Sequence, residues 1–214
     1  MTTYYMKNIT TFFLFLFFLN SCTQKPKSDN NLFNNAYADY QTDKVSCETK
    51  LLDYTKKYPE DYKGWSLLGA VSVELNNDTL GEGCLNKALQ LNPKDVMALA
   101  ELGVIERKEK NYDKAASYYN QAINIDPTFG RAYASLMLIE LKRGNYQKAV
   151  DLGEKAVSLE PGALYMKAQL ALAYHFDKQF DKRDKIMKEL TDKGFPYVDN
   201  YKKAFEGQAT PDDF

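Results

Sequence analysis

Histidine occurs once in the 214 residues, at His175, and cysteine three times, at Cys22, Cys47 and Cys84. Metal sites and thiol or imidazole catalysis need such side chains in groups, with a partner base or three to four ligands in register. His175 has no second histidine, and no cysteine stands near it in sequence. It therefore reads as a packing or surface residue. Gly81-Glu82-Gly83 lacks the further glycine and the lysine of a phosphate-cradling loop. Neither Ser-x-x-Lys nor Gly-x-Ser-x-Gly occurs. The expectation is a non-enzymatic protein without cofactors or metal. Its 28 basic and 29 acidic side chains balance, which gives no drive toward nucleic acid. Such a chain works through its surface, and the surface is set by whatever elements recur.

Pro59, Pro93, Pro127 and Pro161 recur at equal steps. A residue without a backbone N–H, returning at one interval, marks the same joint of a repeated unit. Tyr58, Asn92, Asp126 and Glu160 precede these prolines, and three of them are side chains suited to capping or starting a helix. Leu68, Leu102, Leu136 and Leu170 keep the same step, as do Ala88, Ala122 and Ala156. The phrase Asn111-Tyr112-Asp113-Lys114-Ala115 returns as Asn145-Tyr146-Gln147-Lys148-Ala149. The step, about 34 residues, is the period of a helix–turn–helix unit in an α-solenoid. There the hydrophobic content of 44% fills a strip between stacked helices.

The pattern resembles the tetratricopeptide repeat. Trp65-x-x-Leu68-Gly69, Ala88 and Pro93 carry it in the first full unit. Leu99-x-x-Leu102-Gly103, Ala115, Tyr119, Ala122 and Pro127 carry it in the second. The third shows Tyr133, Leu136, Ala149, Ala156 and Pro161; the fourth is weaker, with Arg183 in place of a small residue. The resemblance implies an all-α solenoid of stacked helix-turn-helix repeats in a right-handed superhelical arc. Four repeats are expected over residues 61–195. Capping helices or a partial repeat precede them at 32–60, a capping helix carrying Tyr197, Tyr201 and Phe205 follows at 196–206, and a frayed tail occupies 207–214. First helices are expected near Glu60–Leu75, Lys94–Glu109, Thr128–Arg143 and Gly162–Lys178. Second helices are expected at Asp78–Leu91, Tyr112–Ile125, Tyr146–Leu159 and Phe180–Lys193. Gly81, at the place of Ala115 and Ala149, is expected to allow close helix approach. Leu102 and Ala122 are expected to be buried where the two helices of their unit meet. Cys47 and Cys84 fall on second helices of neighbouring units. Such helices pack about 8–10 Å apart, beyond the roughly 7 Å Cα reach of a disulfide, so both read as buried thiols.

The resemblance also implies a concave surface lined by first helices. Its expected partner-facing residues are Lys63, Val104, Arg107, Lys108, Arg131, Leu138, Lys142, Tyr165, Leu172 and Phe176. Cations beside apolar side chains suit a protein or peptide partner with acidic groups. The family's lysine–asparagine clamp for a terminal carboxylate is missing, since its places hold Ser66 or alanine and apolar residues. A second reading has Tyr165, Phe176 and their neighbours capturing a glycan or a free peptide.

Lys7 is the only charge before residue 25, and Phe12 to Leu19 is an unbroken run of eight large apolar residues. That run is short of the roughly 20 residues needed to span a bilayer and has the shape of a secretory signal. It ends in Leu19-Asn20-Ser21-Cys22, which looks like a bacterial lipoprotein signal. The expectation is a signal peptide over 1–21, a lipidated Cys22 and a polar tether over 22–31. A chain so built is held by its lipid on a bacterial envelope membrane, and the absence of Asp at residue 23 favours the outer one.

Overall fold

The computed structural model describes residues 28–208. The expected signal peptide, Cys22, most of the tether and nearly all of the tail lie outside the described residues. Among the described residues there are eleven α-helices and no strand. They are α1 (Asn30–Ala38), α2 (Lys44–Lys57), α3 (Tyr62–Glu74), α4 (Asp78–Leu91), α5 (Val96–Lys108), α6 (Tyr112–Ile125), α7 (Gly130–Lys142), α8 (Tyr146–Leu159), α9 (Leu164–Phe176), α10 (Phe180–Asp192) and α11 (Val198–Lys203), then a π-helical turn, Ala204–Gln208. Consecutive helices pack as antiparallel pairs, and first helices also touch the first helix of the next pair. The fold is an all-α solenoid of helical hairpins.

The second helices run as the period predicts, whereas first helices begin about two residues later than expected. The reason lies at the prolines. Tyr58, Asn92, Asp126 and Glu160 end the preceding second helix as C-caps and do not start the next one. The start is left to a residue two beyond each proline. Asp61 caps α3 by accepting from Lys63 N, and Asp95 caps α5 by accepting from Met97 N and Ala98 N. Those carboxylates satisfy backbone donors that the first helical turn leaves unpaired. Asp29 likewise caps α1, so the first helix of the described residues begins at Asn30, two residues before the expected bound at 32. This helix lies one repeat period ahead of α3, so α1 and α2 form a fifth hairpin with a short first helix.

Each of the four full hairpins turns in the same way. Asn76, Lys110, Gly144 and Lys178 take positive φ of 60, 64, 76 and 61°. The following N–H reaches back to the carbonyl five places earlier, as from Asn111 N to Glu106 O at 2.8 Å and Asn145 N to Glu140 O at 2.9 Å. This left-handed helix stop suits glycine, which carries no Cβ penalty. A Cβ on Gly144 would meet nothing within 4 Å, so only its backbone strain is at stake. Gly144→Ala is therefore expected to lower unfolding free energy by about 1 kcal/mol, and Lys110→Gly to raise it by about as much. Urea titrations of the two variants check the pair of signs.

The hairpins close by exchanging bulk across their two helices. Gly69 on α3 receives Leu85 of α4, and a Cβ there would lie 2.6 Å from Leu85 Cγ. Gly103 on α5 receives Tyr119 of α6, 2.6 Å from its Cε1. In the third hairpin the sizes are reversed: Met137 stands on α7, and Gly153 on α8 receives it. Gly81 does allow close approach, since its Cβ would lie 3.2 Å from Gly69 O and 2.7 Å from Val73 Cγ2. Leu102 and Ala122 are both buried, but at different seams. Leu102 packs with Val73, Leu85 and Ala88 of the preceding hairpin, and Ala122 with Ala132 and Leu136 of the following one. Cys47 and Cys84 are free and buried in one cluster with Leu51 and Leu68. Burial pushes both thiols up to about 11, which keeps them protonated and unreactive.

Arg183 departs from the small-residue pattern because it serves the C-terminal cap. Its guanidinium lies over the rings of Phe180 and Phe205, at 4.9 and 5.1 Å, and its Nη1 is 3.0 Å from His175 Nδ1. Phe205 in turn stacks on His175 at 4.8 Å. Of the residues expected on the capping helix, Tyr201 is buried, but Tyr197 is 52% exposed and precedes the helix. Phe195 and Val198 take its place in the core. Burial, and the adjacent Arg183 charge, hold the His175 imidazole below its usual 6.5. A depressed folded value means the neutral ring contributes stability above pH 6.5, lost as pH falls through the folded value. Thermal melts from pH 7.5 to 5 should fall accordingly, and His175→Gln should flatten that slope.

Candidate partner-binding face

The first helices α3, α5, α7 and α9 lie side by side, and their aligned places carry the expected contact residues. Lys63 is exposed at the N-terminal end, and Tyr165 is 57% exposed at the other. Several others are placed differently from the expectation. Leu138 and Leu172 are 7% and 1% exposed, inside the core. Both belong to the C-terminal core cluster, with Ala149 and Val150 of α8 and Met187 and Leu190 of α10. Val104 is half-buried. Phe176 is half-buried, stacks on Tyr146 at 5.6 Å and meets His175 edge-on.

Arg131 and Lys108 are engaged as well. Arg131 Nη2 bonds Glu101 Oε1 at 2.5 Å, and the Glu101 side chain is only 4% exposed. Burial pushes the Glu101 carboxyl up, opposed by the Arg131 charge. Lys108 Nζ donates to Val73 O at 2.9 Å, to Asn76 Oδ1 at 3.3 Å and to Asp78 Oδ1 at 2.8 Å, strapping α5 to the preceding hairpin. Arg107 is half-buried with Nε unpartnered, and Lys142 is half-buried and takes part in an interaction of its own. Glu74 holds the end of the same row, accepting from the Tyr40 hydroxyl and pairing with Lys44 at 3.0 Å. The face is therefore ion-paired within itself, which reduces its pull on an acidic chain.

Two features escaped the sequence reading. Glu106 and Glu140, one repeat period apart, are buried glutamates at the hairpin turns. Glu106 takes Asn111 at 3.0 Å and an ion pair with Lys114; Glu140 takes Asn145 at 2.7 Å and Lys148 at 3.1 Å. These bonds are why the Asn-Tyr-x-Lys-Ala phrase recurs. The second feature is a cleft of about 180 Å³ lined by Phe33, Tyr37, Tyr62, Lys63, Ser66, Leu67, Asp95 and Met97. It unites α1, α3 and the start of α5. Reading α1 as a bare cap hid it, although Phe33 stands one repeat period before Leu67. Among the described residues no group of three or more His, Cys, Asp or Glu could hold a metal ion, and no helix is long and apolar enough to cross a membrane.

The family model of the tetratricopeptide repeat matches residues 96–129, which span α5, α6 and the turn after them. The chain carries the tetratricopeptide repeat, and its fold is a solenoid of such repeats. Solved structures of the same solenoid agree over most of the chain. A thermophilic tetratricopeptide-repeat protein of Thermus thermophilus, TTC0263, is 15% identical with a TM-score of 0.69, over 83% of this chain and 97% of its own. PilF of Pseudomonas aeruginosa is 15% identical at 0.65, over 77% and 76%. MamA is 21% identical at 0.56, over 72% and 90%. At these identities the likeness is one of fold. No curated protein matches the chain. The cleft and the first-helix row are thus features of a tetratricopeptide-repeat solenoid, an architecture that generally serves protein–protein contact.

Proposed function

We propose that this tetratricopeptide-repeat protein is a lipid-anchored scaffold or assembly factor of a bacterial envelope, holding a protein partner along its first-helix face. The carrying observation is that row of first helices lying side by side, with Lys63 and Tyr165 exposed at its two ends. The internal ion pairs favour a partner recognised by apolar side chains and hydrogen bonds over one drawn in by acidic charge. The anchor rests on Leu19-Asn20-Ser21-Cys22 and the apolar run before it. Acyl chains there would fix the protein firmly, at about 0.8 kcal/mol per buried methylene.

Two measurements test this reading. Mass spectrometry of the mature N-terminus should find a lipidated Cys22, and Cys22→Ala should release the protein from the detergent phase. A mature chain starting elsewhere sinks the anchor. A photo-reactive side chain at Tyr165 should crosslink a defined envelope protein, whereas one at exposed Gln121 on α6 should not. The reverse pattern would move the working surface to the second helices.

A further inference from the structure

The cleft between α1, α3 and α5 combines an apolar wall with two buried polar groups that lack a partner. Phe33 and Tyr37 stack with centroids 6.4 Å apart, and Tyr37 remains 54% exposed. Met97 is 36% exposed on the facing helix. Ser66 and Asp95 line the same cleft at 4% and 7% exposure, yet Ser66 Oγ and Asp95 Oδ2 have no hydrogen-bond partner. Buried polar atoms are nearly always paired, and an unpaired carboxylate oxygen is costly.

Comparison along the repeat shows why this oxygen is left over. Asp61, one repeat earlier, caps α3 with Oδ1, and its Oδ2 receives the Tyr54 hydroxyl at 2.6 Å. Asp95 caps α5 in the same way, but the place equivalent to Tyr54 holds Ala88, which has no donor. In the next two units Phe129 and Ala163 replace the carboxylate altogether. The uncompensated anionic oxygen is thus confined to one unit, the one whose neighbourhood is an aromatic-walled cleft.

We propose that this cleft receives an arginine or lysine side chain of the partner polypeptide. The apolar stem would lie against Phe33, Tyr37 and Met97, and the charged nitrogens would donate to Asp95 Oδ2 and Ser66 Oγ. Aromatic faces add attraction for a cation, and a charge-assisted bond to a desolvated carboxylate is the strong kind. Lys63 at the rim is exposed and free to turn to solvent. The proposal rests on the first-helix face being the binding surface, and it names the chemistry of one residue that face selects.

The test titrates Nα-acetyl-arginine amide, its uncharged isostere Nα-acetyl-citrulline amide and tetramethylammonium onto the folded protein, following backbone amide shifts of Ser66, Leu67 and Met97. The arginine amide should give saturable shifts at those residues, with citrulline weaker by roughly tenfold or more. Asp95→Asn should weaken the arginine amide by a similar factor with melting unchanged, because asparagine caps a helix as well as aspartate. Lys63→Glu, an exposed change that leaves the core alone, should tighten it. Equal binding of citrulline, an Asp95→Asn or Lys63→Glu variant with unaltered affinity, or tetramethylammonium binding as tightly as the arginine amide would each overturn the proposal. The last would assign the cleft to a small ammonium ligand. Crosslinking from Tyr165 separates the two levels: if it persists while the arginine amide fails, the cleft assignment falls and the binding face stands.

Discussion

Tyr119→Ala is expected to lower the unfolding free energy by about 3–5 kcal/mol, the range for emptying a large aromatic site. Tyr119 is fully buried and is the largest side chain so enclosed among the described residues. Its ring fills the space over Gly103, in a cluster with Leu99, Ala115, Ala122 and Ile139. Glycine opposite leaves no side chain to move into the void, so the site collapses poorly. The position also matters, because α5 and α6 form the central hairpin. A solenoid's stability is a sum of units and nearest-neighbour seams, so weakening the middle should split unfolding into two steps. Urea titrations followed by circular dichroism should show a second transition absent from the unaltered protein. A change within about 0.5 kcal/mol, the range of a surface site, would mean the Gly103–Tyr119 contact does not hold the hairpin.

Arg131→Glu should also destabilise, by roughly 2–4 kcal/mol, since breaking a buried pair leaves an uncompensated charge and costs about 3–5 kcal/mol before screening. The Arg131 side chain is 43% exposed against 4% for Glu101, so solvent screening reduces the figure. The variant places a second carboxylate against Glu101, which should raise the stability of the variant on acidification, as one of the two takes up a proton. Arg131→Met combined with Glu101→Met should recover most of the loss, since an apolar pair of similar volume replaces a buried ion pair well. Thermal melts of the variants decide it. If Arg131→Glu melts like the unaltered protein, the ion pair is a surface contact and the cation is free for a ligand after all. A reversal at Arg131 is thus a test of folding before it is a test of binding.

The fold was legible because the repeat writes each constraint four times. Pro59, Pro93, Pro127 and Pro161 mark the joints, and the buried Leu68, Leu102, Leu136 and Leu170 column marks the core. The surface was less legible for a physical reason. Aligned places say which side of a helix a residue occupies, not which neighbour it finds there. Arg131 reads as a groove cation until Glu101, on the preceding first helix, is seen to bond it. Leu172 reads as lining until it is seen inside the C-terminal core cluster. The cleft needed α1, whose short helix carries none of the Trp, Leu or Gly landmarks. Asp95 looks like any helix cap; its spare oxygen becomes visible only when Ala88 is set against Tyr54.

The reversed bulk of the third hairpin restricts how this gene can be cut and rejoined. A crossover at the proline joints moves a whole hairpin and keeps Gly69 with Leu85, Gly103 with Tyr119 and Gly153 with Met137. A crossover at the left-handed turns would join α5 to α8 or α7 to α6. The first product sets Gly103 against Gly153 and leaves a hole; the second sets Met137 against Tyr119 and overfills the seam. Lineages descended from duplication of this chain should therefore carry breakpoints beside Pro127 and Pro161, and not at Lys110 or Gly144.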